Sequence, residues 1–155
     1  MRLLVFLCTM LVLFACTTRT PELTDAQKAE IVNTIEANMN KLMRSAEALD
    51  TSALQEFIAA ESGKNFFLTG TAFSKEELIS ATKSDWAGIV SQRLTVVSNN
   101  IRVISPDLVL WTAEIAGSSL ALDGIEDSLS FTDTWLWERN GDIWQVSHLH
   151  ESWGE

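Results

Sequence analysis

Apolar side chains recur along residues 31–49 at steps of three and four, as Ile31, Ile35, Met39, Leu42, Ala46 and Leu49. That period puts a single apolar stripe on a helix, turned toward a core. "TDAQ" at 24–27 precedes the stripe and has the form of a capping box, in which a hydroxyl and a Gln side chain satisfy each other's backbone donors. "DTSALQEFIAAESG" predicts a second, shorter helix ending near Gly63, a residue suited to a left-handed cap. "SKEE" at 74–77 repeats the capping signal, and Leu78, Ile79 and Ala81 carry a third helix toward Trp86. From Arg93 the period drops to two. "RLTVVSNNIRVI" predicts a strand, "SPD" at 105–107 a turn, "LVLWTAEIAG" a second strand and "DSLSFTDTWLWER" a third. "NG" at 140–141 is a hairpin signal ahead of a fourth strand, while "GSSLALDGIED" reads as loop or short strand. Three helices followed by four antiparallel strands predict an α+β domain with a curved sheet wrapped around a helix.

The first twenty residues follow a different rule. Arg2 supplies a positive start and "LLVFLCTMLVLFA" an apolar run too short to span a bilayer comfortably. The run ends "LFAC", with Leu13 and Ala15 placed before Cys16 as in the bacterial lipobox, which it resembles; Cys8 fails the test because bulky Leu7 precedes it. The resemblance implies a signal peptide over 1–15, diacylation of Cys16, a tether over 16–23 and one domain over 24–155. Multiple acyl chains hold a bilayer far more firmly than one. Thr17 follows the cysteine where an Asp would signal inner-membrane retention, which implies the periplasmic face of the outer membrane. Both cysteines of the chain lie in or at the end of this leader, so the remaining domain has no thiol pair and stands in an oxidising compartment without disulfides.

Charge narrows the partners. Arg2 is the only ionisable side chain of residues 1–15 at neutral pH, so losing them takes the formal net charge from −10 to −11. A surface this acidic repels nucleic acid and anionic lipid, leaving membrane attachment to the anchor. The aromatic choice is also unusual: six tryptophans, all from Trp86 onward, and no tyrosine.

"TWLWERNGDIWQVSHLHES" at 134–152 resembles the last hairpin of the nuclear transport factor 2-like superfamily, particularly its SnoaL-like branch. Among better-known members it is similar to the association domain of calcium/calmodulin-dependent kinase II. The shared pattern is T-x-x-W, a turn with Gly, then W-Q-x-x-H-x-H-x-S, met by Thr134, Trp137, Gly141, Trp144, Gln145, His148, His150 and Ser152. The element order over 25–153 agrees as well. The resemblance implies a cone-shaped fold, three N-terminal helices on a curved antiparallel sheet, and a hollow at its wide end. It says little about activity, because the fold hosts isomerases, cyclases, dehydratases, adaptors and binding domains.

Strict alternation sorts the strands into two faces. Leu129, Phe131, Asp133, Trp135 and Trp137 share one. On the last strand, Trp144, Val146, His148 and His150 oppose Ser147, Leu149, Glu151 and Trp153. On the strand at 108–117, Leu108, Leu110, Thr112 and Glu114 oppose Val109, Trp111, Ala113 and Ile115. In the kinase association domain, arginines line the cone; carried over by position they fall on Glu114 (with a one-residue shift), Trp135 and Glu151. All three are changed, which implies a neutral or cationic ligand rather than a carboxylate, with Trp135 and Trp137 as stacking or cation–π surfaces and Asp133 behind. The competing expectation is that the two tryptophans simply fill the cone and the acids sit at its wet rim.

His148 and His150, the only histidines, lie ~6.5–7 Å apart on one strand face. They lack converging Cys or Asp partners, so the sequence offers no metal site and no cofactor is expected. They are expected to pack, with Trp144, against a second copy in a homodimer. No complete catalytic set is legible. The first expectation is a non-catalytic domain binding a small molecule. An adaptor acting through dimerisation comes next, then a ketosteroid-isomerase-like enzyme using Glu114 or Asp133 as base and an indole N–H as donor, there being no tyrosine.

Overall fold

The computed structural model describes residues 22–60, 63 and 65–154. Cys16 and the leader expectations lie outside the described residues. Helix α1 (Asp25–Glu47) starts on the expected box: Thr24 Oγ1 accepts from Gln27 N at 3.2 Å and Thr24 N donates to Gln27 Oε1 at 2.9 Å. Ile31, Ile35, Met39 and Leu42 are its buried stripe. Leu49 does not continue it. The helix stops two residues earlier, and Leu49 takes a left-handed backbone (φ 55°) as the chain turns back on itself.

Helix α2 (Ser52–Phe57) is shorter than expected and does not reach Gly63. Ile58 instead pairs with Val146, and Ala59 N donates to Val146 O at 2.9 Å, so sheet pairing outcompetes another helical turn. Two strands follow that the sequence did not announce, β1 (Phe66–Leu68) and β2 (Thr71–Phe73). Three residues are too few to display an alternation. Helix α3 (Lys75–Trp86) carries a second capping box, Ser74 with Glu77, and buries Leu78.

The long strands β3 (Ile89–Ser105), β4 (Leu108–Ala121), β5 (Glu126–Asn140) and β6 (Ile143–Trp153) form a meander. "GSSLALDGIED" is therefore mostly strand, turning at Gly124. The order is β2-β1-β6-β5-β4-β3, six strands where four were expected, with β1 parallel to β6. Register shifts in β3 at 89–91, 96–98 and 103–105 add twist to its pairing with β4. Gly117 lets the two strands approach closely, since a Cβ there would collide with the Arg93 carbonyl oxygen. The sheet curls over α1. Ile35 and Leu42 meet Trp111, Ile115, Phe131 and Trp135 in one core.

Candidate functional site

One position breaks the apolar stripe of β5. Leu129, Phe131, Trp135 and Trp137 are hydrophobic, yet Asp133 between them is only 3% exposed. Its direct cross-strand neighbours are Ala113 on β4 and Glu151 on β6. Directly opposed residues place their Cβ atoms about 4.5–5.5 Å apart, so the two carboxyls share one small volume. Phe131 pairs with Trp153 and Trp135 with Leu149 on either side.

This patch floors a cavity of about 350 Å³. Leu42, Met43 and Ala46 of α1 and Leu78, Asp85 and Trp86 of α3 wall it, with Asp50 from the turn after α1. The aromatic rings at the floor and in the core behind it form defined pairs. Trp135 stacks near-parallel on Trp137 at 6.4 Å, Trp111 meets Trp135 edge-on at 6.4 Å, and Phe131 lies 4.9 Å from Trp153. Trp153 Nε1 donates to Glu151 Oε1 at 2.6 Å.

Burial dominates the electrostatics. It pushes Asp133 up to about 8, with the nearby Glu151 charge adding to the rise. The Trp135 indole pulls the other way, although Asp133 Oδ1 and Trp135 Nε1 are both buried without completing a hydrogen bond. Glu151 is raised by burial too, partly offset by the Trp153 donor. Asp50 behaves oppositely: Ser52 donates to it through Oγ (2.6 Å) and N (2.9 Å), holding it below the usual carboxylate range. Near neutral pH burial thus favours a proton on Asp133, beside Glu151, while Asp50 stays ionised. Such a pair can accept a cation, donate from the protonated acid, or exchange a proton with a bound molecule.

The expected site residues divide. Asp133, Trp135 and Glu151 come together at the cavity floor. Glu114 does not: it is exposed on the opposite face, paired with Thr132 and Ser98, and Ser98 Oγ donates to its Oε2 at 3.2 Å. β4 stays in unbroken register with β5, and Ala113 takes the inward place beside Asp133. Trp137 is fully buried, edge-on to Phe57 at 5.6 Å, as core behind the cavity.

Trp144 also lies elsewhere than expected. It does not share a face with the histidines. Trp137 pairs with Val146 but Leu136 with His148, so Ser147 is a bulged residue that inverts the alternation. Trp144 and Val146 therefore join the buried concave face, while His148 and His150 lie opposite, His150 exposed and His148 5.6 Å from the Phe67 ring. The signal was present: the apolar positions Val146 and Leu149 are three apart, which a regular strand cannot place on one face. Asp50, Asp85 and Trp86 were missed because they reach the cavity from separate elements that only folding juxtaposes. Among the described residues no three His, Cys, Asp or Glu side chains gather as a metal ion would require.

No family model and no curated protein sequence matches the chain. Solved structures do. A nuclear transport factor 2-like superfamily protein from Salmonella enterica aligns with a TM-score of 0.75 at 11% identity, covering 83% of this chain and 94% of that one. A protein assigned as a scytalone dehydratase from Novosphingobium aromaticivorans aligns at 0.77 and 6% identity, over 85% and 89%. One assigned as a calcium/calmodulin dependent protein kinase II association domain from Xanthomonas campestris gives 0.68 and 11%, over 78% and 87%. At such identities a likeness carries the fold and leaves activity to the side chains. The chain has the nuclear transport factor 2-like fold, an α+β cone whose curved six-stranded sheet is closed by its N-terminal helices.

Proposed function

We propose that this domain binds a small molecule with an apolar body, neutral or cationic, in the cavity between α1, α3 and the sheet. One observation carries the reading: an apolar and aromatic cavity of about 350 Å³, at the small end of the usual range for ligand sites, ends on a buried acid with an unpartnered oxygen. Polar atoms that deep are normally satisfied, and an orphan on a residue lining a cavity fits a ligand that completes it. The test is a thermal-shift screen of small apolar compounds against the detergent-solubilised full-length protein. A true ligand at a hundred times its Kd adds about 2.7 kcal/mol of apparent stability. Leu129→Trp, which fills the cavity from its wall, is expected to abolish the shift while the free protein still melts cooperatively. A shift that survives Leu129→Trp places binding elsewhere and refutes the reading.

The raised Asp133 favours a second reading, in which the same floor moves a proton on the bound molecule. Mass analysis of each bound compound after incubation separates the two, since an unchanged compound supports binding alone.

The proposal extends to location. The lipobox-like run ending at Cys16 supports a lipid-moored protein of a bacterial envelope. Palmitate labelling of cells expressing the chain is expected to mark it, and Cys16→Ser to lose the label. Equal labelling of both rules out the anchor. Among the described residues no helix is long and apolar enough to cross a membrane.

A further inference from the structure

We propose that the cavity selects a protonated amine on an apolar body, its ammonium held by Asp133 beside Glu151 and resting against the indoles of Trp135 and Trp153. The inference rests on the binding reading above and sharpens it from "neutral or cationic" to one chemical class. Two independent observations support it. The first is the sign of the charges around the cavity. Asp50, Asp85, Asp133 and Glu151 line it, and among the described residues no lysine, arginine or histidine does. Each comes from a different element: the turn after α1, then α3, β5 and β6. A cation meets acids from the mouth to the floor, and nothing positive inside competes with it.

The second is hydrogen-bond supply at the floor. Asp133 lines the cavity, and its Oδ1 is buried without a partner. An N–H from a ligand supplies what it lacks. Trp135 Nε1, also unpartnered, is a donor suited to the ionised carboxylate. The ionised form of Asp133 can thus accept from an indole on one side and an ammonium on the other. Aromatic faces complete the cradle, because the ring quadrupole attracts a desolvated cation.

Uptake then exchanges one cation for another. Asp133 holds its proton in the empty cavity, where burial and the Glu151 charge oppose ionisation. When the ammonium docks, Asp133 releases that proton to solvent, and the net charge of the floor changes little. The titratable groups facing it are Glu151 from β6, Asp85 from α3 and Asp50 from the turn after α1. The neighbouring β4 position is Ala113, and α1 presents Leu42 and Met43. Competition with the proton sets the sign: amine affinity rises as pH increases through the range where Asp133 gives up its proton.

The test is isothermal titration of the full-length protein with 4-phenylbutylamine, 4-phenylbutanol and 4-phenylbutyrate at pH 6 and pH 8.5. The amine stays protonated throughout, its pKa resembling that of lysine, about 10.4. It is expected to bind at least about tenfold tighter than the alcohol at pH 8.5. Its preference should shrink at pH 6, and the heat should depend on buffer identity as a proton is released. Asp133→Asn is expected to erase the amine's preference over the alcohol. An alcohol or carboxylate that binds as tightly as the amine overturns the proposal, as does a preference that survives Asp133→Asn. If these three probes fail while other apolar compounds still give a cavity-dependent thermal shift, the amine assignment falls and the binding reading stands. If nothing shifts the melt or binds, both fall.

Discussion

Replacing Trp137 by Ala is expected to cost about 3–5 kcal/mol of stability. Trp137 is wholly inaccessible, stacked on Trp135 and edge-on to Phe57, so it joins the sheet to α2. No mobile neighbour can refill the volume, because Val109 and Val146, the residues paired beside it, are themselves fully buried β-branched side chains. A domain of this size is stable by roughly 5–15 kcal/mol, so the variant sits near the threshold of unfolding. Trp137→Phe should lose far less. The indole N–H has no partner, and removing it discards a desolvated donor together with part of the ring. Urea unfolding followed by circular dichroism reads both. Near-equal losses for Ala and Phe would mean that packing around the ring is not what holds this region.

Asp133→Asn is expected to stabilise the empty domain at pH 8 by about 2 kcal/mol or more, an effect opposite in sign to the usual outcome of altering a buried residue. Folding raises this acid from 3.8 to about 8, so between those values the native state holds a proton that the unfolded chain has released. Stability then falls as pH climbs from about 4 toward 8 and levels off above, where both states are ionised. Glu151, also raised, tilts the curve the same way. An amide has no such proton to lose, so the variant's stability curve should be flatter and cross above that of the parent. Chemical denaturation at pH 5, 6.5 and 8 checks it. Parallel curves would show that Asp133 is not ionised at the expense of the fold.

The same two residues show what the sequence could and could not reveal. The stripe on α1, both capping boxes, the four long strands and the hairpin at 140–141 follow from local patterns, and local chemistry decided them. Asp133 was legible as an acid inside an apolar alternation. Glu114 came from a relative's position carried over with a one-residue loop shift, and on β4 that position points away from the cavity. Trp144 was misplaced because one bulged serine inverts a period-two count, and every residue before it changes side. The short strands β1 and β2 owe their form to the edge that β6 offers, which no property of "FFL" or "TAF" discloses.

The position of β6 has a consequence for the order in which the molecule can assemble. It is last in the chain yet central in the sheet, held between β5 and β1, and its partners Phe66 and Leu149 are more than eighty residues apart. Loop closure of that span comes before any gain from the contact, so the domain belongs with slow-forming topologies. A ribosome delivers α1 and its greasy stripe long before the strand that completes their shelter. Throughout that interval the nascent polypeptide is unfinished, with its apolar stripe uncovered and open to a chaperone's grip.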